Sequence, residues 1–153
     1  TIAVKNEYHL QDDYNYVVFK YCGGYTNCSA YVIYENPIVK QRKVVICGDN
    51  LGAEYAQNYS KTLMEGMKHM DILQHFGDMQ ANCYIPGHGP MVKKEFIQRI
   101  LEYYLQVYLF LANWKARKRS LYEIISEETF PKFFEKSIPN YMPEVYQAWY
   151  NLV

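Results

Sequence analysis

Apolar and polar positions follow one rhythm up to about Gly48 and another beyond it. In the first stretch, Tyr14 to Tyr21 and Ser29 to Glu35 are β-branched and aromatic runs, and Lys43 to Cys47 is a third, shorter and more apolar. Such side chains suit the pleated surface of a sheet, so each run predicts a strand. Cys22-Gly23-Gly24 and Asn36-Pro37 lie between them and break strands. Three short strands with tight connections predict an antiparallel meander, with a further strand near Ile2 to Lys5 ahead of it.

After Asp49 the period becomes helical. Tyr59, Leu63, Met67, Met70 and Leu73 recur at spacings of three and four, which predicts an amphipathic helix with Gly77 as its carboxyl cap. A short strand, Asn82 to Ile85, follows. A long helix is then expected from about Lys93 to Lys118, with Ile97, Ile100, Leu101, Tyr104, Leu105, Tyr108 and Leu111 on one stripe. From Val107 to Ala112 this helix is apolar on nearly every side, which predicts cover from two directions. Ser120 and Glu123 form a capping-box pattern that starts another helix. Pro131, Pro139 and Pro143 divide the remainder into short pieces, the last an amphipathic helix ending near Leu152.

These elements predict one α+β domain over residues 1–153: strand-rich 1–49, a helix over 53–77, a strand and histidine turn over 82–90, and a helical 93–153. The expected architecture is a mostly antiparallel sheet covered by helices on one face, with extra carboxyl-terminal helices. A second sheet face would then need cover that this chain does not obviously supply.

Composition narrows the partners. Sixteen Lys and Arg balance sixteen Asp and Glu, so no net charge steers the molecule toward nucleic acid or an anionic membrane. The one basic run, Lys115 to Arg119, falls at a helix carboxyl terminus, where cations meet the negative end of the helix dipole. Seventeen tyrosines make the surface suited to an interface, including one between copies of the chain. No basic stripe accompanies them, which argues against a stacking platform for single-stranded nucleic acid. The longest apolar helical run is far shorter than the roughly 20 residues of a membrane span. Cys22, Cys28, Cys47 and Cys83 contain no Cys-x-x-Cys pair and read as free thiols of a reducing, cytoplasmic compartment. No signal peptide is visible, although the chain opens on Thr1-Ile2 rather than methionine, which leaves processing or a missing preceding segment open.

Two places hold residues that packing does not explain. In Tyr84-Ile85-Pro86-Gly87-His88-Gly89-Pro90, a histidine sits in a tight turn after a strand, between glycines that let other groups come close. In Val44-Val45-Ile46-Cys47-Gly48-Asp49-Asn50, a carboxylate directly follows an apolar strand and should emerge at the sheet's edge. Taken alone, Asp49 also reads as a helix-capping or Asx-turn residue.

In order and spacing these fragments resemble the metallo-β-lactamase fold, over about Tyr16 to Tyr104. In that family a strand ending in Gly-Asp is followed by an amphipathic helix and then a strand leading into Pro-Gly-His-Gly. The resemblance implies half of an αββα sandwich. It implies Asp49 as the carboxylate bridging two metals about 3.5–4 Å apart, and His88 as a ligand of one of them. Thr26, Gly87 and Gly89 would stand behind these ligands. Zinc is the implied ion, with iron or manganese as alternatives, and the implied activity is hydrolysis of a small molecule.

The sequence departs from the family twice. Where the family has Gly-His-Thr between two strands, this chain has Gly24-Tyr25-Thr26. A phenol with a pKa of about 10 is a poor zinc ligand at neutral pH. The family's His-x-His-x-Asp-His cluster is absent, since no two of His9, His69, His75 and His88 are one residue apart. His69 and His75 read as surface residues of the first helix, and His9 as a surface residue in a polar stretch before the strands. Two protein ligands do not make a catalytic zinc site, which normally takes three and a water.

Three readings fit these residues. One is the carboxyl-terminal part of a hydrolase, inactive alone, completed by an amino-terminal half or another subunit. Another is a non-catalytic relative that lost its metal and binds a partner, consistent with Tyr25. The last is a self-sufficient small α+β protein with a coincidental turn.

Overall fold

The computed structural model describes residues 6–24, 26, 28–39, 42–53, 63–120, 122, 123, 131, 150 and 151. Within them the chain is α+β, with a five-stranded, mostly antiparallel open sheet and two helices. The strands are β1 (Glu7–Gln11), β2 (Tyr16–Tyr21), β3 (Ala30–Glu35), β4 (Lys43–Gly52) and β5 (Cys83–His88); α1 (Leu63–Asp78) joins β4 to β5, and α2 (Lys94–Ala116) follows β5. Strand order in space is the order in sequence. The first four strands pair antiparallel, and β5 pairs parallel with β4.

The meander forms as the turn residues predict. It has a member at Glu7–Gln11 that the sequence pattern does not announce, and His9 is therefore on a strand rather than ahead of the sheet. It is exposed, with Nδ1 2.9 Å from the Tyr16 hydroxyl and Nε2 3.2 Å from Glu7. The strand expected near residues 2–5 lies outside the described residues. β4 does not stop at Cys47; it runs on through Gly48, Asp49 and Asn50 to Gly52.

One sheet face is closed. Val45, Cys47, Tyr84 and Tyr31 form a core cluster with Leu73 and Phe76 of α1 and Ile97, Ile100, Tyr104, Val107 and Leu111 of α2. Tyr31 packs edge-on against Phe76, and burial pushes its phenol up to about 12. Its hydroxyl lies 2.9 Å from Nε2 of His75, which is exposed at the rim of α1. All four cysteines are free; Cys47 is buried, Cys22 and Cys83 half-buried and Cys28 exposed.

The other face is apolar, with nothing among the described residues packed over it. Register places Tyr8, Phe19, Val32, Ile46 and Ile85 in one row across the five strands, and Leu10, Val17, Tyr34, Val44 and Cys83 in the next. Phe19, Ile46 and Ile85 are each about two-fifths exposed (38%, 40% and 38%), and Leu10 nearly half. An antiparallel sheet with a solvated face usually alternates apolar with polar; strands apolar on both faces belong to sheets covered on both sides. A contiguous exposed apolar surface of this kind is uncommon on the solvated face of a sheet.

Both helices depart from the sequence pattern in phase. Met67 is 55% exposed, while His69, Leu73 and Phe76, spaced by four and three, form the buried face of α1. His69 is thus a core residue and not a surface one. Tyr59 lies outside the described residues, as do residues 54–62 generally. Gly77 does not cap α1 but lies buried inside it. The helix ends at Asp78, and the left-handed residue beyond is Gln80, at φ +50°. The Tyr84 hydroxyl donates to the Phe76 carbonyl at 2.7 Å, satisfying one acceptor of that last turn.

In α2, Ile97, Ile100, Tyr104 and Leu111 are buried as expected, Tyr103 and Val107 join them, and Leu105 is exposed. Exposure of Leu109 shows that the Val107–Ala112 stretch is not covered all round by the described residues. The basic run at the end of α2 is engaged locally. The Arg117 and Arg119 guanidinium groups lie over the Trp114 ring at 5.3 and 4.9 Å, and Lys115 donates to the Asn151 carbonyl. Ser120 and Glu123 make the reciprocal capping box. Pro139, Pro143 and Leu152 lie outside the described residues. No helix among those residues is long and apolar enough to cross a membrane.

Gly77 and Gly24 give opposite predictions. A Cβ on Gly77 would meet only Ile97 Cγ2, at an ordinary 4.0 Å. Gly77→Ala should therefore raise the urea midpoint, by about 0.5–1 kcal/mol of stability. Gly24 has φ +101° and would place a Cβ 2.5 Å from Asn50 Oδ1, so Gly24→Ala should lower the midpoint. Equal shifts in one direction would contradict this packing.

Candidate functional site

Asp49 and His88 come together because of how β4 and β5 pair. From Val44↔Cys83 to Ile46↔Ile85 the two strands advance in step. Gly48 then pairs with Pro86, and Gly52 with His88, so from Ile46 to Gly52 β4 spends six residues where β5 spends three. The surplus bulges out of the ladder, a device that re-aims side chains at a sheet's rim. Gly48 lies between the two register shifts in the left-handed conformation, φ +54°, and the Ala53 amide closes the irregular stretch by donating to the His88 carbonyl at 2.8 Å. The outcome is an exposed pair, with His88 Nε2 3.3 Å from Asp49 Oδ1.

The glycines flanking His88 serve two purposes. A Cβ on Gly87 would collide with Asp49 Oδ1 and stand 2.8 Å from Gly48 C and 2.9 Å from Asp49 N, so β4 approaches β5 only where the side chain is missing. Gly89 has φ +91°, which turns the chain back so that Val92 pairs with Tyr84 and leads into α2. Pro86 fits within β5 because that strand is the edge of the sheet and needs donors on one side only.

Behind Asp49 lies a polar network that the sequence did not announce. Asn50 and His69 are the two buried polar side chains among the described residues. His69 Nε2 lies 2.8 Å from the Asn50 carbonyl oxygen, and the imidazole leans on Tyr104. The Asn50 amide donates to Cys22 Sγ at 3.3 Å, and its oxygen fills the space a Gly24 side chain would take. Asn50 therefore ties the end of β4 to α1 on one side and to the turn after β2 on the other. Burial lowers the affinity of His69 for a proton, and neutral His69 can donate from Nε2 to the carbonyl. Burial likewise raises the Cys22 thiol, with the Asn50 hydrogen bond opposing it.

Tyr25 lies outside the described residues. Thr26 is exposed and holds its own turn together: its hydroxyl is 2.9 Å from Ser29 Oγ, and its amide donates to that oxygen. The structure thus brings Asp49, Gly87 and His88 into one place, with Gly89 shaping the turn. His9 and His75 contact Tyr16 and Tyr31 elsewhere. Asp49 and His88 offer a carboxylate oxygen and an imidazole nitrogen at a separation one ion could span, which fits one edge of a metal site. No group of three or more His, Cys, Asp or Glu side chains arranged to hold a metal ion occurs among the described residues. The pair does not close a site by itself.

Two outcomes test this geometry. Backbone atoms block the Gly87 position, so Gly87→Ala should cost about 1–3 kcal/mol and shift the His88 imidazole resonances; unchanged resonances would contradict the close approach. His69 takes its proton in the folded state below its ordinary 6.5, so the unfolded chain binds that proton more readily. The stability it supports is full above pH about 6.5 and falls as the pH drops below. Urea midpoints at pH 7.5 and pH 5 should therefore diverge more for the wild type than for His69→Gln, and parallel changes would mean that His69 is not the titrating group.

The chain matches no protein-family model, and no curated protein matches it significantly.

Proposed function

We propose that this chain is the carboxyl-terminal part of a metal-dependent hydrolase of the metallo-β-lactamase fold, in which Asp49 and His88 hold a zinc ion, or iron or manganese, together with donors from a second layer packed on the open sheet face. One observation carries the reading. The bulged β4–β5 pair presents a carboxylate and an imidazole 3.3 Å apart, in a sheet whose other face is apolar and carries no cover among the described residues. An uncovered face and an unfinished ligand set are complementary shortages, and one added layer would supply both. The layer is an amino-terminal half of the same fold or another subunit, and the substrate is a small molecule. In such a site the bound metal lowers the pKa of a coordinated water and polarises the bond to be cleaved. This chain's contribution is positional: the bulge fixes Asp49, the glycine turn fixes His88, and Asn50 with His69 holds the bulge from behind.

The alternative is a non-catalytic relative that has lost its metal and uses the apolar face for a partner. It is favoured by Tyr25 at the position where the family carries histidine, and by a ligand set that stops at two.

Elemental analysis of the protein isolated from its natural source separates the two. The hydrolase reading expects stoichiometric zinc, iron or manganese that is lost in His88→Ala and in Asp49→Asn. It also expects Asp49→Asn to lower any hydrolytic turnover by about 100-fold or more, while His9→Ala, on the far edge strand, leaves it within about twofold. Metal-free protein, or metal retained by both variants, would favour the scaffold.

A further inference from the structure

At the other end of the sheet, where β3 ends and β4 begins, the surface opens into a cleft of about 640 Å³, within the size range of small-molecule sites. It is about 20 Å from Asp49 along β4, at roughly 3.3 Å per residue. Glu35, Asn36, Arg42, Lys43, Gln80 and Asn82 line it. Neither Asp49 nor His88 is part of it, so binding here is independent of any metal.

The chemistry of this lining is settled by where its acceptors are already committed. Asn36 Oδ1 accepts from the amides of Ile38 and Val39, each at 2.9 Å. Asn82 Oδ1 accepts from the Lys43 amide at 2.7 Å. An amide oxygen held on backbone N–H groups leaves its NH₂ as the group still to be satisfied, so both asparagines offer donors. The one carboxylate among the described lining residues, Glu35, is paired with Lys43 Nζ at 2.9 Å. Among the described lining residues, two cations against one carboxylate leave a net charge of +1, and Arg42 is the cation outside that ion pair. Its guanidinium is a planar fork of donors. Gln80 reaches the same cleft from a left-handed backbone position, φ +50°, that a non-glycine residue occupies only when its surroundings hold it there.

A lining rich in donors, short of acceptors and positively charged is complementary to an oxyanion. We infer that this cleft binds a small molecule by a carboxylate or phosphate group, with Arg42 as the fork and the Asn36 and Asn82 amides as flanking donors. The pair Glu35–Lys43 sets the affinity, since it holds one cation back from the ligand.

Titration of the ¹⁵N-labelled chain with inorganic phosphate and, separately, with acetate, at ionic strength held constant with sodium chloride, tests this. Expected are saturable shifts of the Asn36 and Asn82 side-chain amide resonances with at least one of the two anions, and which anion binds more tightly identifies the group. Arg42 is exposed, so Arg42→Ala should leave the remaining spectrum unchanged while abolishing saturation. Arg42→Lys should weaken binding about tenfold, because it keeps the charge and loses the fork. Glu35→Gln should tighten binding severalfold by releasing Lys43. Shifts that do not saturate with either anion, that chloride reproduces, that survive in Arg42→Ala, or that weaken in Glu35→Gln would overturn the proposal.

Discussion

The parallel pairing of β4 with β5 is the constraint on which most of this structure depends. Parallel neighbours cannot be joined by a hairpin; the chain must cross over, and here it does so through α1. A single crossover helix covers a single face. Because α2 then packs beside α1 in the same core cluster, both helices are spent on the face that carries Tyr31, Val45, Cys47 and Tyr84. The opposite face keeps its apolar rows of Phe19, Ile46, Ile85 and Leu10 with nothing among the described residues over them. Closed and open faces are two consequences of one topological choice.

The same pairing makes the site. Had the two strands kept the register of Ile46↔Ile85, Asp49 would pair with His88 along the ladder. The register shifts put Gly52 opposite His88 instead and leave Asp49 in the bulged segment, its carboxylate 3.3 Å from the imidazole. A bulge of this kind is tolerable only if its polar groups are satisfied. The Asn50 carbonyl faces His69, the Asn50 amide faces Cys22, and the His88 carbonyl accepts from Ala53. Leaving one of these buried groups unpaired would cost about 1–3 kcal/mol. The crossover helix thus does more than cover the sheet, since His69 on its buried face holds the segment that carries Asp49.

Legibility in the sequence divides along physical lines. The strands of the meander were legible, because β-branched and aromatic runs between Gly and Pro have few other uses. The extension of β4 was not: Gly48-Asp49-Asn50-Leu51-Gly52 has the composition of a turn, and only β5 makes it a strand. His69 was misplaced because a polar residue on a helical pattern counts toward the wet face, whereas burial is acceptable for a neutral imidazole that finds a carbonyl. Its spacing to Leu73 and Phe76 was the available signal, and exposed Met67 masked it. Gly77 looked like a cap, but Gln80 takes the left-handed position and Gly77 lies inside the helix against Ile97. For the site, Asp49 and His88 were both legible from the glycines around them. Their support through Asn50 and His69 was not, because it depends on which backbone carbonyl a buried side chain meets.

The open face bears most directly on what the molecule is for. Its rows of apolar side chains continue across all five strands, and the proposed second layer is what would cover them. Cys83 lies in one of those rows, beside Val44, and reports on the face directly. The deciding measurement is the rate at which N-ethylmaleimide labels Cys83 in the protein isolated from its source, compared with the rate in the 153-residue chain alone under the same conditions. Cover on the sheet predicts that Cys83 is labelled in the isolated chain and at least about tenfold more slowly in the native protein. Equal rates would show the face bare in both and would contradict a second layer.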